Sequence, residues 1–400
     1  MLDAYLYAGL RTPFGRHAGG LSRVRPDDLL AQVIAALVET TGIDPARIED
    51  VVCGCTNQAG EDARNVARHA ALRAGLPVEV AGLTVNRLCG SGLAALLDTA
   101  RAAHCGQGGL FLAAGVESMS RAPFVLAKSE TAFGRDMAIF DSTIGARFPN
   151  PWVERQFGGD TMPRTADTVG RELGIGRAES DAFAAASQAK YAAAKAAGFF
   201  DGEIRVVETS VKGKTILVAE DEHPRPASTA ETLAALRPLA EGGVVTAGNA
   251  SGVNDGAGAL LVGTRVAGET LGLAPRGRIR SGAVAGVEPR VMGLGPVPAS
   301  RKALERAGLG LKDMDVIEIN EAFATQALGC CKLLDIPFDD SRVNPNGGAI
   351  AVGHPLGASG VRLALTALRQ LERTSGRFAL VSMCIGVGQG IAAVIERVDA

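Results

Sequence analysis

The sequence predicts an α/β fold made of two similar halves with a further segment inserted between them. Three observations lead there. Apolar strand-like runs alternate with Ala- and Leu-rich helix-like runs. Glycine is abundant, at 51 residues, while only 4% of the chain is aromatic, which implies tight turns and close backbone packing among Ala, Val and Leu. A block near the start recurs in order, type and spacing in the last third. The length of 400 residues also exceeds what one hydrophobic core ordinarily serves, so two or three subdomains are expected.

Taken in order, residues 4–8 read as a strand, and Pro26 followed by Asp27 and Asp28 opens a helix with apolar positions through Val38. A β-branched strand begins at Val51, and residues 65–74 form an Ala-rich helix stopped by Gly75. Residues 80–85 read as a short buried strand, 93–100 as a helix and 110–115 as the next strand. This alternation predicts a parallel sheet covered by helices on both faces.

The repeat pairs residues 41–52 with 307–317. Each copy runs from a helix end through a glycine, Gly42 or Gly308, and a short acidic loop into a strand. A similar distance downstream each copy reaches a small-residue joint, Gly90-Ser91-Gly92 or Ala358-Ser359-Gly360, that leads into a helix and then an apolar strand. Ser91 and Ser359 are read as helix-start residues. Residues 1–120 with about 246–270 form the first half, with 259–263 closing its sheet, and residues 271–400 form the second. Residues 121–245, which hold the only Trp and an Ala-rich helix over 179–197, form an inserted loop subdomain.

Lys plus Arg (41) nearly balances Asp plus Glu (43), so no global field recruits nucleic acid or an acidic membrane. No apolar run approaches the ~20 residues that span a bilayer. Seven cysteines in so long a chain are not a disulfide framework, and the first residues lack a basic, apolar leader, so a reducing cytoplasm is expected. Cys53 and Cys55 have no second Cys or His pair at zinc spacing, so they are read as structural thiols and no metal is expected.

Cys89 lies in Asn86-Arg87-Leu88-Cys89-Gly90-Ser91-Gly92, at a strand-to-helix turn. Unpaired backbone N–H groups at a helix start favour thiolate over thiol and make such a sulfur a nucleophile. Asn320-Glu321-Ala322-Phe323, Gly353-His354-Pro355 and Cys384-Ile385-Gly386 end strands or open turns in the second half. Ligands of open sheets bind beyond the carboxyl ends of strands, where a Cys, a His, an Asn and a second Cys could converge. Singly, each has a structural alternative: a small buried thiol, a satisfied turn histidine, a helix cap.

These motifs, with residues 246–256 and the run Asn346 to Gly360, resemble the thiolase family over essentially the whole chain. The resemblance implies a duplicated thiolase fold, two mixed-sheet halves in an α/β/α/β/α layering, and acyl transfer between coenzyme A and an enzyme cysteine. By that analogy Cys89 attacks the 3-oxo carbon of a 3-oxoacyl-CoA, His354 assists its ionisation, and Cys384 protonates the departing acetyl-CoA carbanion. Asn320, through a water, and His354 would face the enolate oxygen, while the Cys89 and Gly386 N–H groups receive the other oxyanion.

Coenzyme A would be a co-substrate with no permanently bound cofactor, and the family is commonly a homotetramer, a dimer of dimers. Ser251 and Arg225 resemble positions at the pantetheine and adenine ends, and Met162, Met292 and Phe323 positions near the acyl group. Thr161-Met162-Pro163-Arg164, where short-chain members place a His-Met pair, and residues 286–296 are similar to the 3-oxoadipyl-CoA branch of the family. Its acyl chain needs a cation for a distal carboxylate, for which Arg121, Arg147 and Arg164 are candidates. A general 3-oxoacyl-CoA or acetoacetyl-CoA enzyme is the alternative within the family, and a thiolase-like acyl-CoA carrier without turnover the alternative outside catalysis.

Overall fold

Strand-forming and helix-forming runs fall close to where the pattern puts them. The computed structural model describes residues 2–398. In the first half, β1 (Tyr5–Arg11), β2 (Gly15–Arg16), β3 (Asp50–Gly54), β4 (Ala81–Val85) and β5 (Leu110–Ser118) alternate with α1 (Pro26–Thr41), α2 (Val66–Arg73) and α3 (Ser91–His104). The middle of the chain carries two hairpins, β6 (Phe124–Leu126) with β7 (Ile139–Asp141) and β8 (Val207–Val211) with β9 (Lys214–Val218). Around them lie α4 (Pro151–Phe157), α5 (Met162–Leu173), α6 (Arg177–Ala196) and α7 (Ala230–Ala234).

Then follow β10 (Asn254–Gly263), α8 (Arg265–Leu271), β11 (Gly277–Gly286), α9 (Pro296–Ala307), β12 (Val316–Ile319), α10 (Ala324–Leu333), α11 (Ala349–Val352), α12 (Leu356–Thr374), β13 (Phe378–Ile385) and β14 (Gln389–Arg397). Local chemistry sets their ends. Asn65 caps α2 through its side chain, and α1 and α9 both stop at a left-handed glycine, Gly42 (φ 65°) and Gly308 (φ 68°). Each glycine leads through one 3-10 turn, Pro45–Arg47 or Leu311–Asp313, into β3 or β12, so the two copies of the repeat share their geometry.

The sheet is mixed, as the family resemblance implies, and not the parallel one expected from the alternation of strands and helices alone. Its strands run β12-β13-β14-β11-β1-β10-β5-β3-β4, with β2 beside β10. Only β3 with β4 and β5, and β12 with β13, are parallel. Crossover helices impose parallel pairing at those places, whereas the short turn between β13 and β14 reverses the chain. Residues 259–263 do not close the sheet, because β10 lies inside it between β1 and β5. Nor is residues 80–85 a buried strand. β4 has a partner on one side only, and Leu83 is 43% exposed.

Five layers result. α1 and α2 cover the outer face of the first half and α9 and α10 that of the second, while α3 and α12 lie together between the halves. No helix of the described residues is long and apolar enough to cross a membrane.

Glycine makes the central contact possible. A Cβ at Gly92 of α3 would sit 2.5 Å from the Gly357 carbonyl oxygen of α12, and one at Gly360 would overlap the Leu93 backbone nitrogen. The helices therefore meet backbone to backbone at their first turns, which sets Cys89 and His354, each just before one of these helices, at the same end of the middle layer. Gly360→Ala is expected to destabilise the fold by at least ~1–3 kcal/mol through overpacking. Gly310→Ala, whose Cβ meets nothing closer than 3.6 Å, should shift a denaturant midpoint little. Equal midpoints for the two variants would refute the contact's importance.

Candidate active site

The turn after β4 is held by its own side chains. Leu88 N–H donates to Asn86 Oδ1 (2.9 Å), Arg87 N–H to Ser91 Oγ (2.8 Å), and the Ser91 hydroxyl to the Leu88 carbonyl (2.6 Å). Leu88 takes φ 46°, a left-handed conformation of the kind that costs ~1–3 kcal/mol and persists where its surroundings over-determine it. Cys89 follows at the apex, partly exposed, with the Gly386 N–H close enough to its sulfur to favour the thiolate. Burial nevertheless pushes its thiol up to about 11, and the N–H groups of Gly386 and Cys89 offset this only in part. The helix start therefore does not make a resting thiolate, because the desolvation of a sulfur anion outweighs the backbone dipoles.

Gly386 belongs to the turn between β13 and β14, which is pinned by a hydrogen bond from Val287 N–H to the Gly388 carbonyl (2.8 Å). The next residue, Val387, has φ 62° and is 61% exposed, a strained position for a β-branched side chain. A Cβ on Gly386 would lie 3.3 Å from Leu88 Cδ1 and 3.8 Å from the Met162 sulfur, so the first turn of α5 reaches the Cys89 apex. Cys384 lies within β13, buried in an apolar cluster with Ala166, Met292, Ala322 and Phe323. Burial, and secondly the nearby Cys89, raise its thiol well above the ordinary value.

Asn320 follows β12, and its Nδ2 lies 3.3 Å from His354 Nε2, both residues being buried. His354 Nδ1 is 2.7 Å from Ser359 Oγ, which donates to the Pro355 carbonyl at 2.9 Å. A hydroxyl that spends its proton there accepts from Nδ1–H, leaving Nε2 as the acceptor toward Asn320. Ser359 is thus not merely a helix-start residue: lying in the first turn of α12, its side chain faces back onto the imidazole. Burial, then the Arg362 charge, lowers the His354 pKa to about 3, so the ring rests neutral. Asn320 Oδ1 has no partner among the described residues, and there no hydrogen bond joins Cys89 to His354 directly.

Two further residues were not singled out from sequence. Asn254 accepts the His354 N–H (2.9 Å) and donates to the Gly15 carbonyl (2.9 Å), anchoring the histidine turn to β10. Glu117, buried at the end of β5, accepts from Thr56 N–H, Asn57 N–H and, at 2.9 Å, from Gly357 N–H in the first turn of α12. The only sequence signals were an Asn within a small polar run and an acid ending an apolar strand.

Ser251 N–H donates to the Ala322 carbonyl (2.9 Å), which sets Ser251 against the Asn320–Phe323 segment. Beside it, the His223 ring packs on Gly252, its pKa lowered to about 4 by burial and then by Arg225. The exposed Arg225 folds its Nη1 onto the carbonyls of Glu222, His223 and Pro224 at 2.8–3.0 Å. Of the three arginines considered for a distal carboxylate, Arg121 is held by both oxygens of Glu61 and lines a cleft of about 620 Å³ apart from Cys89. Arg147 donates to the Ser142 carbonyl. Arg164, exposed on the first turn of α5 two residues after Met162, has no hydrogen bond or ion pair among the described residues.

Comparison with known proteins agrees with this geometry. Family models described as the thiolase N-terminal and C-terminal domains match residues 5–265 and 273–397. The 3-oxoadipyl-CoA/3-oxo-5,6-dehydrosuberyl-CoA thiolase of Escherichia coli strain K12 is 56% identical over 401 residues, covering 100% of both chains. A crystal structure of the Bacillus anthracis acetyl-CoA acetyltransferase superposes with a TM-score of 0.93 at 35% identity, over 100% of this chain and 99% of that one. Human mitochondrial 3-ketoacyl-CoA thiolase in complex with CoA gives 0.91 at 40% identity, over 99% and 98%.

A raised Cys89 pKa predicts that alkylation of the substrate-free protein by iodoacetamide, followed by mass spectrometry, accelerates roughly tenfold per pH unit between pH 7 and 9. A plateau already reached at pH 7 would show a resting thiolate instead.

Proposed function

This chain belongs to the thiolase family, and from that premise we propose that it cleaves 3-oxoadipyl-CoA with coenzyme A, giving succinyl-CoA and acetyl-CoA through an acyl-enzyme on Cys89. The observation that carries the reading is the convergence of two cysteines, Cys89 and Cys384, on the turn of Gly386, with the Asn320–His354 pair at the same sheet end. Substrate choice follows the full-length similarity to the Escherichia coli enzyme and suits degradation of aromatic compounds.

Cys89 sulfur bonds to the 3-oxo carbon as its proton passes to His354, and the oxygen at that carbon takes charge beside the Gly386 and Cys89 N–H groups. The bond between C2 and C3 then breaks with its electron pair on C2, and the resulting enolate oxygen faces Asn320 and His354. Cys384 gives its proton to C2, acetyl-CoA departs, and a succinyl thioester remains on Cys89. The thiol of coenzyme A passes its proton to Cys384 and attacks that thioester. Cys89 leaves as thiolate and recovers its proton from His354. Met292 and Phe323, packed beside Cys384, support an apolar wall for the acyl end, and Ser251 a place for the pantetheine arm. Arg164 is the arginine left for the far carboxylate.

The reading includes assembly as a dimer of dimers. The free edge of β4, a strand that would otherwise present unpaired backbone groups, supports pairing with a second copy. Exposed Phe124, Phe133 and Ile139 on the β6–β7 hairpin support a second contact.

Cys89→Ser should form no acyl-enzyme by intact mass. Cys384→Ser should still acylate at Cys89 when given succinyl-CoA, an exchange that breaks no carbon–carbon bond, but lose ~10²–10⁴ in the rate of carbon–carbon cleavage. Near-wild-type cleavage by both variants would overturn the mechanism. The ratio of kcat/KM for 3-oxoadipyl-CoA to that for acetoacetyl-CoA should favour the dicarboxylate, and Arg164→Gln should cut that preference by ~10–100-fold, the worth of a charged hydrogen bond. Preference for an uncharged chain would sink the substrate assignment.

A further inference from the structure

Below the Asn320–His354 pair lies a second polar contact that the mechanism does not use. Glu318 of β12 and Arg362 of α12 are both buried and form an ion pair, Arg362 Nη1 to Glu318 Oε2 at 3.5 Å. The placement is regular. Glu318 and Asn320 are two residues apart on one strand path, which Asn320 N–H continues by bonding the Ser382 carbonyl at 2.9 Å, so both side chains point to the same face. Ser359 and Arg362 are three apart on α12 and share a helix face. Asn320, His354 and Ser359 thus form one rung between strand and helix, and Glu318 with Arg362 forms the next.

Stability does not account for this second rung. Burial raises the Glu318 carboxyl and lowers the Arg362 guanidinium in spite of their attraction, among the neighbouring buried charges of Arg11, Glu203 and Glu321, so the desolvation of the two charges exceeds what their attraction returns. The pair is also incompletely satisfied: Arg362 Nε and Nη2 and Glu318 Oε1 have no hydrogen-bond partner among the described residues. Apolar side chains of similar volume would fill the space at less cost. The best-attested benefit of a buried ion pair is the fixing of register, and the register fixed here is that of β12 against α12.

We propose that Glu318 and Arg362 are positioning residues that clamp β12 to α12 and so hold Asn320 at hydrogen-bond distance from His354. The clamp rests on the thiolase reading of the site above. It touches no reacting atom and acts through the rung it supports.

The test replaces the pair by apolar side chains, Glu318→Leu with Arg362→Met, and adds the near-isosteric Glu318→Gln. Thiolysis of 3-oxoadipyl-CoA and of acetoacetyl-CoA is measured together with thermal unfolding and a crystal structure of each folded variant. The double variant should stay folded, lose ~10–100-fold in kcat with KM within about threefold of wild type, as for loss of an outer orienting contact, and show Asn320 Nδ2 and His354 Nε2 more than about 3.5 Å apart. Glu318→Gln, which keeps an acceptor but loses the charge that holds Arg362, should lose about 3–10-fold in kcat, less than the double variant. If the double variant does not fold, Glu318→Gln decides alone: a fall in kcat at unchanged KM supports the clamp, and wild-type kcat overturns it. Wild-type kcat in a folded double variant likewise overturns it. Failure of the wild-type protein to cleave either substrate would overturn the functional reading instead.

Discussion

The backbone contact between α3 and α12 is the constraint on which the site depends. At Gly92 and Gly360 there is no room for a side chain, so the two helices approach as closely as main chains allow, and at Gly357 there is none beside the Gly54 and Val116 carbonyls of β3 and β5. Each begins beside a residue of the candidate site, Cys89 before one and His354 before the other, and the contact at their first turns brings those residues from opposite halves to a common end. Glu117 reinforces the same place, its buried carboxylate reaching from the first half to the Gly357 N–H. Duplication therefore supplies two similar helix starts whose small residues fit each other, and not simply a second copy of a core.

Desolvation governs the electrostatics of that end. It raises both thiols and lowers the imidazole, so Cys89, Cys384 and His354 rest uncharged although the backbone around Cys89 offers N–H donors. In a thiolase this suits a reaction that creates charge only transiently. On the proposed mechanism, donors fixed in advance, the Gly386 N–H and the Asn320 side chain, meet an oxyanion when it forms without having stabilised a resting anion that competes with it. The strained Leu88 and Val387 flank the same backbone, each beside one of the groups that must be aimed.

Much of the fold was legible because its signals are local. Proline at the start of α1, Asn65 before α2 and the glycines after α1 and α9 mark helix ends in a few residues, and the alternation of apolar and polar positions marks the elements between them. The repeat was legible for the same reason: Gly42 and Gly308 perform one conformational task twice. The direction of the strands was not, since alternation alone does not say whether a chain returns by a helix or by a turn. Residues 80–85 looked buried because their composition is apolar, while their exposure depends on the absence of a second neighbour in the sheet.

The sequence by itself determined the element order, the repeated Ser-Gly joint, and the identities of Cys89, Asn320, His354 and Cys384, because each is written in a short run. Tertiary structure decided that Cys89 rests as a thiol, that Ser359 orients His354 as well as opening a helix, and that Glu61 occupies Arg121 while Arg164 has no partner among the described residues. It also decided that Glu318 meets Arg362. Those outcomes depend on burial and on partners tens or hundreds of residues away, and neither desolvation nor a distant countercharge leaves a mark on the local pattern.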